Sequence, residues 1–568
     1  MKKKYTGKAH LQDHDYLKED SSSSSYPFVP QSPVGPTVFD QSESLVFKTQ
    51  AYIDSKRAQF RSKVSEKGEA FLKVKKALEL SKRAVKRLQK KLLKKDDVSQ
   101  KEKMKQALET LREFVSPSVM IHIENSVKNL KVHKKGRRYT THYKTLLLAI
   151  HQRSTQAYRF LQKKFNLPPE STVASWLRGI KIGEGFSEAM LKLLSDRIKT
   201  LSERDRQVVL SMDDMSIQSS IQYHQGSDKV VGVASTTNGQ LDRCGEVCVF
   251  QINGIFKKFR QPILYKVSKG GIPGSMLKDL VTDTLTKLTS IGFRVRLITT
   301  DQGSNFMKLM ELLGASFLNP FFEHQGQRIY FMNDIPHCIK NVRNLLLNKK
   351  IIRTPKGDVE WHQFRALFDL DQKNKVRMCP RLTSRHIFVP PGKPRMNVRL
   401  AMQLLSHSSY VAFTSHMKKN NLAPSYAAPA EFCFHLNNIT DILNSGIKYG
   451  TNIYKHALSK EFPAAIQYLK DAKEWLGTWT ILKRKNDGTL VDVSGSHRCV
   501  RGLIGACTVV PMLLDDLEKD VGASYILTRR LNQDALENLF SLFRQNLGNN
   551  RVPHCSQLDS VFKTSAIH

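Results

Sequence analysis

The chain has 568 residues, more than one typical folding unit needs, so several domains are expected. Hydrophobic residues make up 40% of the chain and charged residues 25%, which excludes a wholly disordered protein. Lysine and arginine total 90 against 51 acidic residues, and the net charge of +39 favours a polyanion such as nucleic acid or an acidic membrane surface. A merely solubilising surface charge is the alternative.

The sequence predicts an intracellular, soluble protein with reduced cysteines. It contains no run of about 18 apolar residues, and MKKKYTGKAHLQ at the N-terminus has no apolar segment behind its lysines, so neither a membrane-spanning helix nor a signal peptide is expected. Of the eight cysteines, Cys244 and Cys248 form the one close pair, without a second pair or a histidine at zinc-ligand spacing.

The N-terminal region divides into a flexible tail and a helical segment. Residues 1–48 carry five consecutive serines and several prolines with few apolar residues. Residues 50–115 predict helices, and apolar residues there follow a heptad pattern at Phe71, Val74, Leu78, Val85, Leu88 and Leu92. A short coiled coil that forms a homodimer through residues 70–95 is expected, with an intramolecular helical hairpin as the alternative because Ser81 interrupts the stripe.

The outer face of this stripe is basic from Lys82 to Lys95. It fits a solvated face, a nuclear-import signal or a phosphate-contacting surface.

Residues 116–204 predict a helix-turn-helix DNA-binding domain. A basic cluster, Lys134 to Arg138, precedes three short predicted helices at 140–151, 155–165 and 172–178. Asn166 to Pro169 separate the last two, and Ser171 or Thr172 is expected to cap the third. Two short helices with a tight turn beside basic residues are typical of DNA-binding units, although an ordinary small helical domain has the same pattern.

Residues 205–350 predict an α/β layer. The pattern indicates a three-stranded meander, strands at 247–252 and 294–300, and helices at 275–291 and 305–313. The meander is expected from strands at 208–212, 217–223 and 229–233. A strand, a helix and a further strand in this order imply a parallel pair.

Three acids stand out by their context. Asp213 and Asp301 each end an apolar strand, and Glu537 lies in the helical pattern LNQDALENLF. Phosphodiester chemistry with two Mg²⁺ ions needs carboxylates that converge from strand ends and a flanking helix. Taken singly, an acid at a strand end is more often a turn or cap residue. The long gap between Asp301 and Glu537 predicts an inserted domain, assigned to 351–527, with 528–568 completing the catalytic domain.

Four ordered motifs carry a family resemblance. SMDDMSIQ at 211–218, TTDQGSNF at 299–306, NDIPHCIKNVRNLL at 333–346 and NQDALENLFSLFRQ at 532–545 resemble successive motifs of P-element transposases and THAP-domain transposase-like proteins. The resemblance spans roughly residues 50–550. It implies an α/β ribonuclease-H-like catalytic core with a mostly helical insertion domain, preceded by a coiled coil and a helix-turn-helix domain.

The resemblance also assigns roles to the acids. Asp213, Asp301 and Glu537 match the three catalytic acids and would hold Mg²⁺, whereas Asp214 is interpreted as a neighbour. Asp334 and His337 match an aspartate-proline-histidine stretch and are expected to cap the helix that runs to Leu346.

Two segments of the insertion, 381–406 and 434–446, resemble the family's guanine-nucleotide-binding region. The resemblance implies that Val398 packs beside the base, Asp441 and Asn444 bond to base or ribose, and Asp534 faces the nucleotide or its metal. GTP would be an organising cofactor. The residues themselves also fit the polar face of a helix, and no GxxxxGK[ST] phosphate loop occurs in the sequence.

Two departures from the family pattern concern the ends of the chain. The first cysteine is Cys244, so the N-terminal THAP zinc module is expected to be missing, and the chain ends soon after Glu537, where the family usually continues. The leading hypothesis is a nuclear DNA transposase that cleaves transposon ends and joins them to target DNA. The alternatives are a domesticated, non-catalytic DNA-binding protein and a transcription regulator that uses the helix-turn-helix domain alone.

Overall fold

The computed structural model describes residues 76–86, 97–178, 182–224, 228–235, 240–419, 421–547, 550 and 552–566. The predicted tail, 1–48, and most of the heptad positions lie outside these ranges. The chain divides into two compact units, Met1–Arg137 and Arg138–His568. In the part of the chain that the structure describes, no helix has the length and apolar character needed to cross a membrane.

The first unit is helical where it is described. Residues 76–86 are helical with Leu78 and Ser81 buried, and helices α1 (Asp97–Phe114) and α2 (Pro117–Lys128) follow. Arg112 Nη2 lies 2.7 Å from Glu124 Oε1 and joins these two helices. Helix formation at Leu78 and Val85 agrees with the predicted stripe, while the homodimer through residues 70–95 stays a prediction.

The second unit begins with four helices, α3 (Thr141–Arg153), α4 (Thr155–Phe165), α5 (Glu170–Arg178) and α6 (Glu188–Ile198). Asn166 adopts a left-handed conformation with φ of 54°, which ends α4 and makes the tight turn. The expectation that Ser171 or Thr172 caps α5 is wrong. The helix begins earlier, because the N–H groups of Thr172 and Val173 already bond to the carbonyl of Pro169.

A six-stranded mixed sheet forms the centre of the unit, in the order β7-β6-β1-β8-β10-β9. Strand β1 runs parallel to β8, and β8 runs parallel to β10, so the predicted parallel pair is confirmed. Helices α7 (Gly274–Ser290) and α8 (Ser304–Leu312) flank β8 in sequence. The six strands are β1 (Gln207–Ser216), β6 (Glu246–Gly254), β7 (Arg260–Ser268), β8 (Arg294–Thr300), β9 (Phe321–His324) and β10 (Gln327–Asn333).

The predicted three-stranded meander is wrong. Two short hairpins occupy the region after β1: β2 (Gln222–His224) pairs with β3 (Lys229–Val231), and β4 (Val233–Ser235) pairs with β5 (Leu241–Arg243). Strand β1 instead pairs with β6, whose nine residues offer a longer apolar partner, and β6 pairs with β7. The sequence analysis missed β7, which contains Pro262, a residue that an edge strand tolerates.

The insertion contains helices and a small sheet of order β12-β11-β14-β15. A two-stranded pairing, β13 with β16, lies near its end. Its elements and those that follow are α9 (Ile335–Leu347), β11 (Lys350–Thr354), β12 (Gly357–Val359), α10 (Trp361–Gln372), α11 (Ser384–Ile387), α12 (Val398–Leu404), α13 (His407–Lys418), α14 (Ala427–Leu443), β13 (Leu458–Ser459), α15 (Pro463–Gly477), β14 (Thr480–Arg484), β15 (Leu490–Asp492), α16 (Arg498–Val521), β16 (Tyr525–Ile526), α17 (Asp534–Asn546) and α18 (Cys555–Ala566).

Two apolar cores cover the two faces of the sheet. One contains residues of β1, β6, β7, α7, α8, α17 and α18. The other joins sheet residues such as Leu297 and Tyr330 to α9, α16 and the rest of the insertion. The insertion therefore completes one face of the central sheet. All eight cysteines are free, as expected from their spacing, and seven of them are buried.

Glycine brings the long helix α16 close to the carboxyl edge of the sheet. A Cβ atom at Gly502 would lie 2.5 Å from Gln302 Nε2 and 2.9 Å from Cys338 Sγ. A larger side chain there would push α16 away from α9 and from the segment that follows Asp301.

Candidate active site

Asp213 and Asp301 meet at one edge of the central sheet. Asp213 lies near the end of β1, opposite Val249 of β6, and Asp301 directly follows β8. Because β1 and β8 are parallel neighbours, their carboxyl ends share an edge. Burial raises the pKa of Asp213 to about 8, and the negative charge of Asp301 adds to this shift while His337 opposes it. The two carboxylates are therefore close enough to repel each other.

Asp214 belongs to a different environment from Asp213. Successive strand residues point to opposite faces, and Asp214 Oδ2 accepts a hydrogen bond of 3.0 Å from Asn305 Nδ2 on α8. Burial raises the pKa of Asp214, whereas hydrogen bonds from Cys248 and Asn305 lower it. We therefore still interpret Asp214 as a neighbour of the first candidate acid, Asp213.

Glu537 lies beside His337, a residue that also acts electrostatically on Asp213. It lies in the first turn of α17, its side chain is 48% exposed, and its Oε1 is 3.6 Å from His337 Nε2. His337 interacts electrostatically with both Asp213 and Glu537. Across the described ranges, no three His, Cys, Asp or Glu side chains are arranged to hold a metal ion. The structure thus pairs Asp213 with Asp301 and places Glu537 on His337.

The expected capping role of Asp334 is confirmed. As N-cap of α9, its Oδ2 accepts a 3.2 Å hydrogen bond from the His337 N–H, and His337 Nδ1 lies 2.8 Å from the same oxygen. The Asp334 N–H donates to the carbonyl of Thr300 at 2.8 Å. Asp334 therefore fixes the His337 ring as well as the helix end.

Two buried residues of the site were missed by the sequence analysis. Gln533 is fully buried, and Lys340 is 5% exposed with Asp301, Asp334, Glu537 and Asp213 as its acidic neighbours. Burial lowers the pKa of Lys340, and these acids oppose the shift. Lys340 follows His337 by three positions on one helix, so the face could have been found from sequence. Gln533 lies in the motif that begins at Asn532, but no local pattern predicts its bond to Met212.

Three of the four residues expected to bind nucleotide lie around the end of α14. Asp441 Oδ2 accepts from Asn437 Nδ2 at 3.0 Å and lies 3.8 Å from Lys455 Nζ. Burial raises the pKa of Asp441, and Lys455 opposes the shift. Asn444 caps the C-terminus of α14, and its Oδ1 accepts from Asn532 Nδ2 at 3.2 Å.

Asp534 is linked to the end of α14 through Arg529. Its Oδ2 accepts from Arg529 Nε at 2.9 Å, and the Arg529 N–H donates to the carbonyl of Ser445, next to Asn444. Val398 is the first residue of another helix, α12, which packs against α9.

The comparisons with known families agree with this arrangement. Three family models match: "TNP-like, RNase H N-terminal domain" over residues 182–314, "TNP-like, GTP-binding insertion domain" over 336–457 and "Transposable element P transposase-like, HTH domain" over 93–176. The class is thus a ribonuclease-H-like core with a helix-turn-helix domain and an inserted domain of the GTP-binding type. The chain is homologous to P element transposases and contains TNP-like and P element transposase-like domains.

Two curated relatives are similar over most of the chain. It is 25% identical over 407 residues to the transposable element P transposase of Drosophila melanogaster, covering 71% of this chain and 50% of that protein. It is 22% identical over 443 residues to the DNA transposase THAP9 of Homo sapiens, covering 75% of this chain and 48% of that protein. The chain spans about half the length of these curated relatives.

A solved structure has the same fold. The chain resembles one chain of the Drosophila P element transposase strand transfer complex with a TM-score of 0.66 and 22% identity, covering 82% of this chain and 98% of that chain. This likeness supports the ribonuclease-H-like fold of the central sheet.

Proposed function

We propose that the chain is a DNA transposase of P-element type that cleaves DNA and transfers strands with the help of divalent metal. The observation that carries the proposal is the meeting of Asp213 and Asp301 at the ends of adjacent parallel strands, with Glu537 on the neighbouring helix. We assign the catalytic role to these three acids. DNA as substrate and the nucleus as location belong to the same proposal.

The donor set fits Mg²⁺ in its chemistry. Asp213 and Asp301 offer carboxylate oxygens, the ligands that Mg²⁺ prefers. The two negative charges repel each other, and a bound cation would reduce this repulsion. We assign Asp213, Asp301 and Glu537 to the metal. Bound Mg²⁺ would activate the attacking water or 3′-hydroxyl and stabilise the leaving oxygen.

The residues around the acids set their orientation and charge. Asp334 holds His337 by Nδ1, so that Nε2 faces Glu537. Lys340 adds a positive charge beside the acids and is nearly inaccessible to solvent. His337 offsets part of the negative charge of Asp213 and Glu537, and Lys340 offsets part of the negative charge of all three acids.

A nicking assay tests the proposal. Asp301→Ala should lower the rate of Mg²⁺- or Mn²⁺-dependent DNA nicking by about 100-fold or more, because a misplaced metal forfeits several kcal/mol of transition-state stabilisation. The matched control is Asp279→Ala, which removes an exposed aspartate from α7 and should leave the rate unchanged. Equal nicking by wild type and Asp301→Ala would rule out catalysis by this site.

A non-catalytic, domesticated DNA-binding protein is the second candidate. Two observations favour it: Glu537 lies 3.6 Å from His337, and the described residues contain no group of three His, Cys, Asp or Glu side chains arranged to hold a metal ion. This candidate is supported if the wild type binds DNA, is well folded and does not nick it with either metal.

For the insertion we propose guanine-nucleotide binding with GTP as an organising cofactor. The support is the match to the GTP-binding insertion family together with the placement of Asp441, Asn444 and Asp534 around the end of α14. The N1 and N2 groups of guanine donate hydrogen bonds, which a carboxylate such as that of Asp441 can accept. We assign Val398 to packing beside the base.

A further inference from the structure

We propose that Gln533 and Asp334 form a buried joint that positions the three catalytic acids relative to one another. The joint is defined by these two residues and by the hydrogen bonds between them and their backbone partners. The inference deepens the proposed function, because it concerns the acids to which that function assigns metal binding.

Gln533 ties the acid-bearing helix α17 to strand β1. Its side-chain Nε2 donates a 2.6 Å hydrogen bond to the carbonyl of Met212, the residue before Asp213. Its own carbonyl accepts from the N–H of Glu537 at 3.0 Å, one helical turn later. One side chain thus sets the distance from the backbone of the first acid to the turn that carries the third.

Asp334 adds strand β8 to the joint. Its Oδ1 accepts a 2.8 Å hydrogen bond from the backbone N–H of Gln533, and its own N–H donates to the carbonyl of Thr300, the residue before Asp301. Its other oxygen, Oδ2, holds His337, which contacts Glu537. The joint therefore reaches the backbone next to each of the three acids.

Burial makes these bonds hard to replace. Gln533 is 0% exposed and Asp334 is 2% exposed, so water cannot substitute for a lost partner without opening the structure. A buried carbonyl left without its donor is unfavourable, because it has lost its hydrogen bonds to water and gains none in return. Met212 would move to recover a partner, and Asp213 would move with it.

The geometry separates a positioning role from simple helix capping. The cap of α9 uses Asp334 Oδ2, whereas the links from Asp334 to Gln533 and from Gln533 to β1 use Oδ1 and the Gln533 side chain. A change confined to the Gln533 amide leaves the cap intact and removes the link to β1.

The test uses Gln533→Met in the full chain, which keeps the side-chain length and removes the donor. Gln533→Asn serves as a second variant, since it remains polar but is shorter by one methylene and falls short of Met212. Gln545→Met is the matched control, because Gln545 lies on the same helix and is exposed. Mn²⁺ binding is followed by electron paramagnetic resonance, alongside melting temperature, DNA affinity and Mn²⁺-dependent nicking.

We expect the Gln533 variants to bind Mn²⁺ at least tenfold more weakly and to need correspondingly more Mn²⁺ for half-maximal nicking. DNA affinity should match that of Gln545→Met. If Gln533→Met melts far below Gln545→Met, the Mn²⁺ affinity of Gln533→Asn is compared with that of Gln545→Met instead.

The outcomes distinguish the joint from the proposed function. Wild-type Mn²⁺ affinity in both Gln533 variants overturns the joint and leaves the transposase proposal standing. A wild type that binds Mn²⁺ without nicking DNA, with weaker binding in the variants, supports the joint and overturns the enzymatic proposal. A wild type that binds no Mn²⁺ contradicts both.

Discussion

The proposed role of each site residue depends on the strand end or helix end at which the residue lies. Asp334 was recognised from sequence as a helix cap because capping is local and its signal is a short motif. Gln533 bonds to Met212, far away in sequence, so no local pattern predicts this contact. Lys340 follows His337 by one helical turn, so its place on the same helix face is predictable from sequence. The motifs single out the three acids as candidates, whereas the contact between Glu537 and His337 is visible only in the fold.

Asp441 gives a prediction at the residue scale. Asp441→Ala should weaken guanine-nucleotide binding by about tenfold or more, since a hydrogen bond to a charged group contributes about 1.5–3 kcal/mol. Titration calorimetry with GTP measures the change. Asp471→Ala removes an exposed carboxylate from α15 and should bind GTP as the wild type does. Unchanged affinity in Asp441→Ala would remove this residue from the proposed site.

At the scale of elements, long apolar segments were predictable and short ones were not. Strand β8 has the bounds expected from sequence, and α7 and α8 each begin one residue earlier than expected. The segments after β1 form local hairpins because a three-residue strand cannot compete with β6 for the edge of β1. Strand pairing is decided by partners far away in sequence, which a local pattern does not reveal.

Helix α16 gives a prediction at the element scale. Leu503 is fully buried in the core that joins the sheet to the insertion. Leu503→Ala should lower the free energy of unfolding by about 2–5 kcal/mol, through lost burial and a residual cavity. Denaturant unfolding followed by circular dichroism measures this change.

The control is Leu318→Ala, because the Leu318 side chain is 94% exposed and its loss should have little effect. A similar small effect in both variants would show that α16 contributes little to the stability of the second unit.

At the scale of the whole molecule, the insertion and the central sheet share one core. Phe432 of α14 and Leu297 of β8 belong to the same buried cluster. The insertion follows the ribonuclease-H-like sheet in sequence, yet residues 138–568 form a single compact unit. The boundaries assigned from sequence at 351 and 527 therefore separate segments of the chain that pack together.

A fragment comparison tests this shared core. Residues 351–527 alone should not fold cooperatively, because they would expose the apolar surface that α9 and the sheet cover. Residues 138–568 should fold, because they retain both cores. Thermal melts and limited proteolysis of the two fragments give the comparison. A sharp melting transition in the shorter fragment would show that the insertion is an independent domain.

Asn532 and Gln533 are consecutive and buried, and their side chains hold different parts of the molecule. Asn532 bonds to Asn444 at the end of α14, while Gln533 bonds to Met212 beside Asp213. A shift of the one peptide unit between them changes both contacts together. If a nucleotide at one end and a cation at the other each favour a particular position of this peptide, their binding is thermodynamically linked, and each changes the affinity of the other by the same factor.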